Sequence, residues 1–181
     1  MNVWRMIINM DIGSGNGYPS ASLSNFAPHP FVLDSVSCNS MEGFLQSLKF
    51  ENEDMQKYVC TLVGLQAKYK GKKKNWWTKQ ELYWQGVAIP RKSPEYQTLL
   101  DRAYDALSQN TGFAKALVST QNATLTHEMG KSDQSHTVLT KQEFCSRLTK
   151  IRTRMQEKPS ERRMPDTSNV KSTNNTGREF E

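Results

Sequence analysis

Glu42, Gln46 and Lys49 stand in the segment Asn39–Phe50, with the amide four residues and the lysine seven residues after the carboxylate. Seven residues make almost two full helical turns, so in a helix the carboxylate and the ammonium share one side with the amide between them. Met41, Leu45 and Leu48 form an apolar stripe beside them. A helix edge of this kind can line a cleft, burying one flank and offering an acid and a base on the other. The plainer reading uses the same residues. An acid in the first turn and a lysine near the helix end are what the helix dipole favours in any protein. Spacing alone leaves both readings open.

A second segment, Lys68 to Lys79, holds six lysines, no acid, and the aromatics Tyr69, Trp76 and Trp77. Lysines supply charge to phosphates, and aromatic faces stack on bases. Tyr83 and Trp84 follow closely. The alternative is a solvated basic loop whose tryptophans pack into the core. A third segment, Thr126 to Asp133, places His127, Glu128 and Asp133 in an expected loop. A His–Asp pair there could perform acid–base work, although loop residues of these types are commonly just solvated.

Other chemistries find no motif. There is no GxSxG, Walker or zinc-deaminase pattern, and the glycines Gly13, Gly15 and Gly17 are not followed by a helix as a dinucleotide fingerprint requires. His29, His127 and His136 lack HExxH spacing, and Cys38, Cys60 and Cys145 form no CxxC pair. Neither a cysteine-only zinc site nor a disulfide framework is expected. The expectation is a chain with no metal and no cofactor.

Three groups of residues together resemble the NADAR family, also called YbiA-like, whose name refers to NAD and ADP-ribose. They are Ser24-Asn25-Phe26, then Ser40-Met41-Glu42-Gly43-Phe44 with Gln46-Ser47-Leu48-Lys49-Phe50, then Ala67-Lys68-Tyr69-Lys70-Gly71. The resemblance runs through the Leu99–Leu117 region to Arg152 and leaves out the C-terminal end. It implies a mainly helical α+β domain and one of two activities. One group of the family is similar to N-glycosidases acting on ribose-phosphate intermediates of the riboflavin pathway. The other resembles glycohydrolases that strip ADP-ribose from guanine in DNA, opposing a DNA ADP-ribosyltransferase toxin as an antitoxin does. The family's helix glutamate corresponds to Glu42, its Asn-Phe pair to Asn25 and Phe26, and its helix lysine to Lys49. Many members carry D-x-x-W-G in the late loop. Asp133 stands in that region here, but no Trp-Gly follows it.

On this resemblance the expected catalytic residues are Glu42, Lys49 and Asp133. The expected substrate contacts are Asn25, Phe26, Gln46, Lys68, Gly71, Lys72, Trp77 and Trp84. Glu42 would stabilise an oxocarbenium-like sugar, activate water or attack it. Its first-turn position and Lys49 are expected to keep it ionised. Asn25 would bind ribose hydroxyls, a tryptophan would stack on a base or adenine, and the lysines would hold pyrophosphate and flanking DNA. The expected partner is an ADP-ribose-containing substrate on DNA. A non-catalytic ADP-ribose or nucleic-acid binding module is the third reading.

The elements that must position these residues can be read from periodicity and capping. Val3–Met10 and Phe31–Leu33 read as short strands. Asn39 or Ser40 can cap the helix that carries Glu42. Met55, Val59, Leu62 and Val63 suggest a helix ended by Gly64. Ser93-Pro94-Glu95 is a strong start signal, followed by the apolar face Tyr96, Leu99, Leu100, Ala103, Tyr104 and Leu107. A shorter helix spans Phe113–Val118. Thr140 and Glu143 have capping-box spacing ahead of Phe144, Leu148, Ile151 and Met155. The expected fold is α+β, mostly helical, with few strands.

The chain of 181 residues suits one domain. The expected division is a domain over 1–155 and a polar tail over 156–181, because from Gln156 onward the large apolar residues are Met164, Val170 and Phe180. Charges in that tail cancel, so the net +6 resides in the domain and suits an anionic ligand. No stretch approaches the length of a membrane span. Met1–Ile12 lacks the basic-then-apolar order of a signal peptide. The expectation is a reduced, cytoplasmic protein that does not enter membranes.

Overall fold

The computed structural model describes residues 8–157. The first residues of the expected Val3–Met10 strand and almost all of the expected tail lie outside that range. In chain order the elements are β1 (Asn9–Asp11), α1 (Ser20–Leu23), β2 (Phe31–Leu33), β3 (Val36–Cys38), α2 (Met41–Ser47), α3 (Glu53–Cys60), α4 (Gly64–Lys72), α5 (Trp76–Lys79), β4 (Glu81–Trp84), β5 (Val87–Pro90), α6 (Pro94–Leu107), α7 (Thr111–Ser119), β6 (Thr124–Thr126) and α8 (Lys141–Glu157). A 3-10 turn, Gln134–His136, precedes α8. This is the expected α+β, mostly helical fold.

Most helix starts follow one device. The side chains of Ser40, Asn52, Ser93 and Asn110 each accept the amide hydrogen of the residue three places on, satisfying a donor that the helix itself cannot. At α8 the capping box closes in both directions. Glu143 N donates to Thr140 Oγ1 at 3.1 Å, and Thr140 N donates to Glu143 Oε1 at 2.8 Å.

The strands form three separate pairs. β2–β3 and β4–β5 are antiparallel hairpins, and β1 runs parallel to β6 with Met10 opposite Leu125. Each hairpin has a two-residue turn with positive φ at both positions, Asp34-Ser35 and Gln85-Gly86. That turn has the twist antiparallel strands need.

α2 is the centre of the molecule, and every residue from Met41 to Ser47 is buried. The chain after α3 lies close against it. A Cβ on Gly43 would stand 2.5 Å from the Leu62 carbonyl oxygen, and Ser40 Oγ donates to that same oxygen at 3.0 Å. This contact explains one departure from the sequence reading. α3 ends at Cys60 rather than at Gly64, because Thr61 N and Leu62 N bond back to Tyr58 and Val59 and turn the chain toward α2. Gly64, at φ +56°, starts α4 instead. The lysine-rich segment is also not a loop. Its first half is the end of α4, where Lys70 and Lys72 complement the dipole, and its second half is α5.

Among the described residues, no helix is long and apolar enough to cross a membrane.

Candidate active site

The Ser24–Phe26 loop, α2, α4, α5, the segment His127–Lys131 and the segment His136–Thr140 surround one cleft of about 370 Å³. Glu42 lies at its base with 9% of its surface exposed. Gln46 Nε2 donates to Glu42 Oε1 at 2.8 Å, and Glu42 N donates to the Asn25 carbonyl at 2.9 Å. The second bond ties the first turn of α2 to the Ser24–Phe26 loop. Among the described residues Glu42 is the sole carboxylate in the lining, and the cationic groups around it are Lys49, Lys68 and Lys131.

This burial reverses one expectation. Desolvation raises the Glu42 pKa above the ordinary value of 4.5, and the Gln46 hydrogen bond and the charges of Lys68, Lys49 and His127 offset only part of that rise. The dipole and Lys49 do not lower its pKa as expected, because removing a carboxylate from water outweighs both. Lys49 follows the last turn of α2 rather than standing within it. Its Nζ donates to the Gly71 carbonyl at 3.4 Å. Burial lowers its pKa to about 8, with repulsion from Lys131 and Lys68 adding to that and Glu42 opposing it.

Asn25 is anchored from behind. Tyr104 Oη donates to Asn25 Oδ1 at 2.9 Å, and burial raises the Tyr104 pKa well above its usual value, so the phenol keeps its proton. Asn25 therefore retains its Nδ2 amide as a donor for the cleft. Phe26 lines the wall with Lys68 Nζ 5.7 Å from its ring centroid. Gly71 contributes by having no side chain, since a Cβ there would overlap Gln46 Oε1.

Lys72 and Trp77 lie beside the cleft, on a shelf of about 480 Å³ that shares Gln46, Lys49, Lys68 and Trp76 with it. The remaining lysines of the run do not join them. Lys70, Lys73 and Lys74 border a separate open groove with Phe50 and Tyr69.

Two expected site residues fall elsewhere. Trp84 is not in the lining. It is 6% exposed, packs edge-on against Phe44 at 5.3 Å, and donates its indole hydrogen to Asp34 Oδ2 at 2.8 Å. Its position on β4 alternates inward, so it serves the core. Asp133 is exposed and also outside the lining. It caps the 3-10 turn by accepting from Ser135 N at 2.8 Å, and its Oδ2 is 2.9 Å from His136 Nδ1. The His–Asp pair is thus Asp133 with His136, not with His127, and of that pair only His136 lines the cleft.

Several lining residues were not among the expected site residues. His127 Nδ1 donates to the Ile12 carbonyl at 2.6 Å and its ring stands edge-on to Phe144 at 5.2 Å. A carbonyl only accepts, so in the neutral ring Nε2 is left as an acceptor. Trp76, Lys131 and His136 complete the walls. His127 and Trp76 stand in segments that the sequence marks, whereas no signal singles out Lys131 or His136, because loop packing brings those two in. Among the described residues, no group of three His, Cys, Asp or Glu side chains could hold a metal ion.

The remaining wall is held by a buried ion pair. Arg91 meets Glu143 through two hydrogen bonds of 3.1 and 2.6 Å, and Arg91 Nε donates to the Thr137 carbonyl at 2.9 Å. Tyr96 Oη donates to the Val138 carbonyl at 2.5 Å. Burial alone would raise the Glu143 pKa, but the bonds from Arg91, Gln97 and Thr140 N prevail and hold it at about 2.

Comparison with known proteins agrees with the fold. A likeness to the NMR structure of the Escherichia coli protein YbiA covers 84% of this chain and 90% of that one, with a TM-score of 0.52 and 16% identity. At that identity the likeness is one of fold, and it bears out the YbiA-like resemblance at that level. An uncharacterized 17.1 kDa protein from the Gp30–rIII intergenic region of Enterobacteria phage T4 is 36% identical over 148 residues, covering 79% of this chain and 96% of that protein. The model of the family described as bacteriophage protein GP30.3 matches residues 17–153, which include every lining residue of the cleft except Gly13 and Ser14, and the chain belongs to that family.

Proposed function

We propose that the cleft is the active site of an N-glycosidase that removes ADP-ribose from a nucleobase, with ADP-ribosylated guanine in DNA as the substrate. The observation that carries this reading is one buried carboxylate at the base of a cleft whose other charged side chains are cationic. Hydrolysis of an O-glycoside commonly requires two carboxyl groups, one of them to protonate the leaving oxygen. A departing nucleobase can take the proton on its own ring nitrogen, so one carboxylate suffices.

In this scheme the C–N bond to the ribose breaks, the electron pair leaves with the base, and Glu42 faces the positive sugar carbon. Water adds at that carbon while Glu42 accepts its proton and passes it to the nitrogen of the departed base, giving free ADP-ribose, the neutral base and the carboxylate restored. The raised Glu42 pKa improves it as a proton acceptor near neutral pH. Gln46 sets the carboxylate, Asn25 Nδ2 donates to a ribose hydroxyl, and Lys49 and Lys68 neutralise the pyrophosphate.

The test compares substrates on one enzyme preparation. Release of ADP-ribose from modified guanine in DNA, abolished by Glu42→Gln, is the expected result. Release of ribose phosphate from a riboflavin-pathway intermediate instead would reassign the substrate. Release from neither would make the cleft a binding module.

A further inference from the structure

The shelf beside the cleft has a composition that the cleft chemistry does not require. Trp77 is 48% exposed, an unusual position for the largest apolar side chain. Lys68, Lys72, Lys131 and His136 surround it, and no acid lines the shelf. Trp76 forms the inner edge and is shared with the cleft, so the two recesses are continuous. The geometry is also braced. Gln80 Nε2 donates to the Trp77 carbonyl at 2.9 Å and to the Ser135 carbonyl at 3.0 Å, which joins the end of α5 to the 3-10 turn carrying His136.

We infer that the shelf seats the nucleotide next to the modified base, with that nucleotide unstacked from its neighbours, its base on the face of Trp77 and its phosphates against Lys72 and Lys131. Resting on the N-glycosidase reading of the cleft, this makes the substrate a single strand rather than a duplex. The reason is steric and energetic. A base within a duplex has both faces covered by its neighbours, so only an unpaired, unstacked base can offer a face to an exposed indole. Stacking tolerates any sequence because every base has such a face. The cations supply the phosphate attraction that lets a strand enter from the side of α4.

Binding can be measured without any chemistry in the cleft. The probes are an unmodified, fluorescein-labelled oligothymidylate, a duplex of the same length, and free ADP-ribose, each titrated against the full chain. The single strand should bind more tightly than the duplex and quench tryptophan emission. Trp77→Ala should weaken the single strand by roughly 5- to 150-fold, the scale of one base stacked on an aromatic ring. Trp77→Phe should recover most of that loss, and ADP-ribose affinity should not change in either variant. Lys72→Gln should flatten the salt dependence of strand binding by about 0.7 in slope. Equal affinity for strand and duplex, or an unaltered Trp77→Ala, would overturn the inference. Trp77-dependent strand binding without ADP-ribose release would sink the cleft chemistry and leave the shelf standing. ADP-ribose release from a modified nucleoside without strand binding would do the reverse.

Discussion

Gly71 on α4 makes room for the side-chain amide of Gln46 on α2, and that amide in turn holds the Glu42 carboxylate at 2.8 Å. A methyl group at residue 71 would overlap Gln46 Oε1 and press on Gln46 Cβ, which cannot swing away as a side-chain tip can. The glycine of the lysine-rich segment is therefore a packing requirement of the site.

Gly71→Ala should expose this. In an ordinary helix interior the change gains about 1 kcal/mol. Here it should displace Gln46 and cut turnover roughly 10- to 100-fold, the cost of a small misplacement of a catalytic group. Combining it with Gln46→Ala should give a non-additive result, since the alanine removes the atoms that collide. Additive losses in that double-mutant cycle would disprove the coupling.

Glu42→Gln separates catalysis from stability. Turnover should fall by about two to four orders of magnitude. Melting temperature at pH 7 should rise. The sign follows from the raised pKa. Between pH 4.5 and the raised folded pKa the folded chain binds more of the Glu42 proton than the unfolded chain does, so stability falls as pH rises through that window. The glutamine variant escapes that loss, and its advantage should vanish below about pH 4.5, where both states are protonated. Melting curves from pH 4 to 8 check this. A stability loss at pH 7 would mean that the helix dipole outweighs burial.

Glu143→Gln should be severe in the opposite sense. It leaves Arg91 buried without its partner and should cost about 3–5 kcal/mol, measured by denaturant unfolding. The pH dependence runs the other way from that of Glu42. The depressed pKa means that the ion pair's contribution is fully present above 4.5 and is lost as pH falls toward 2. Wild type should lose stability across that window and the variant should lose less. Because Arg91 also holds the Thr137 carbonyl, substrate affinity should weaken in the variant as well.

The lysine run should divide in two. Lys68→Gln should weaken ADP-ribose binding roughly two- to fivefold, the scale of one exposed ion pair. Lys73→Gln and Lys74→Gln together should leave ADP-ribose affinity unchanged, because both lysines border the other groove and Lys74 Nζ sits 4.7 Å from the Phe50 ring centroid. Calorimetric titration with ADP-ribose distinguishes the two variants. An equal loss in both would restore the picture of one undivided basic patch.

What the sequence determined by itself was local. Ser40, Ser93 and the Thr140–Glu143 box mark helix starts because a cap is a bond between near neighbours, and α6 and α7 follow from the periodicity of their apolar faces. The Glu42–Gln46 pair was likewise readable, since four residues on a helix bring two side chains together. The tertiary structure decided what depends on distant segments meeting. It sent Trp84 to the core and left Trp77 exposed, a choice between aromatics that composition cannot make. It paired Asp133 with His136 rather than His127, because the 3-10 turn brings those two side chains together while the Ile12 carbonyl holds the His127 ring. It also decided the direction of the pKa shift at Glu42. A pKa is set by how much water is removed and which charges remain nearby, and at Glu42 both depend on α4 and the His127–Lys131 segment closing over α2.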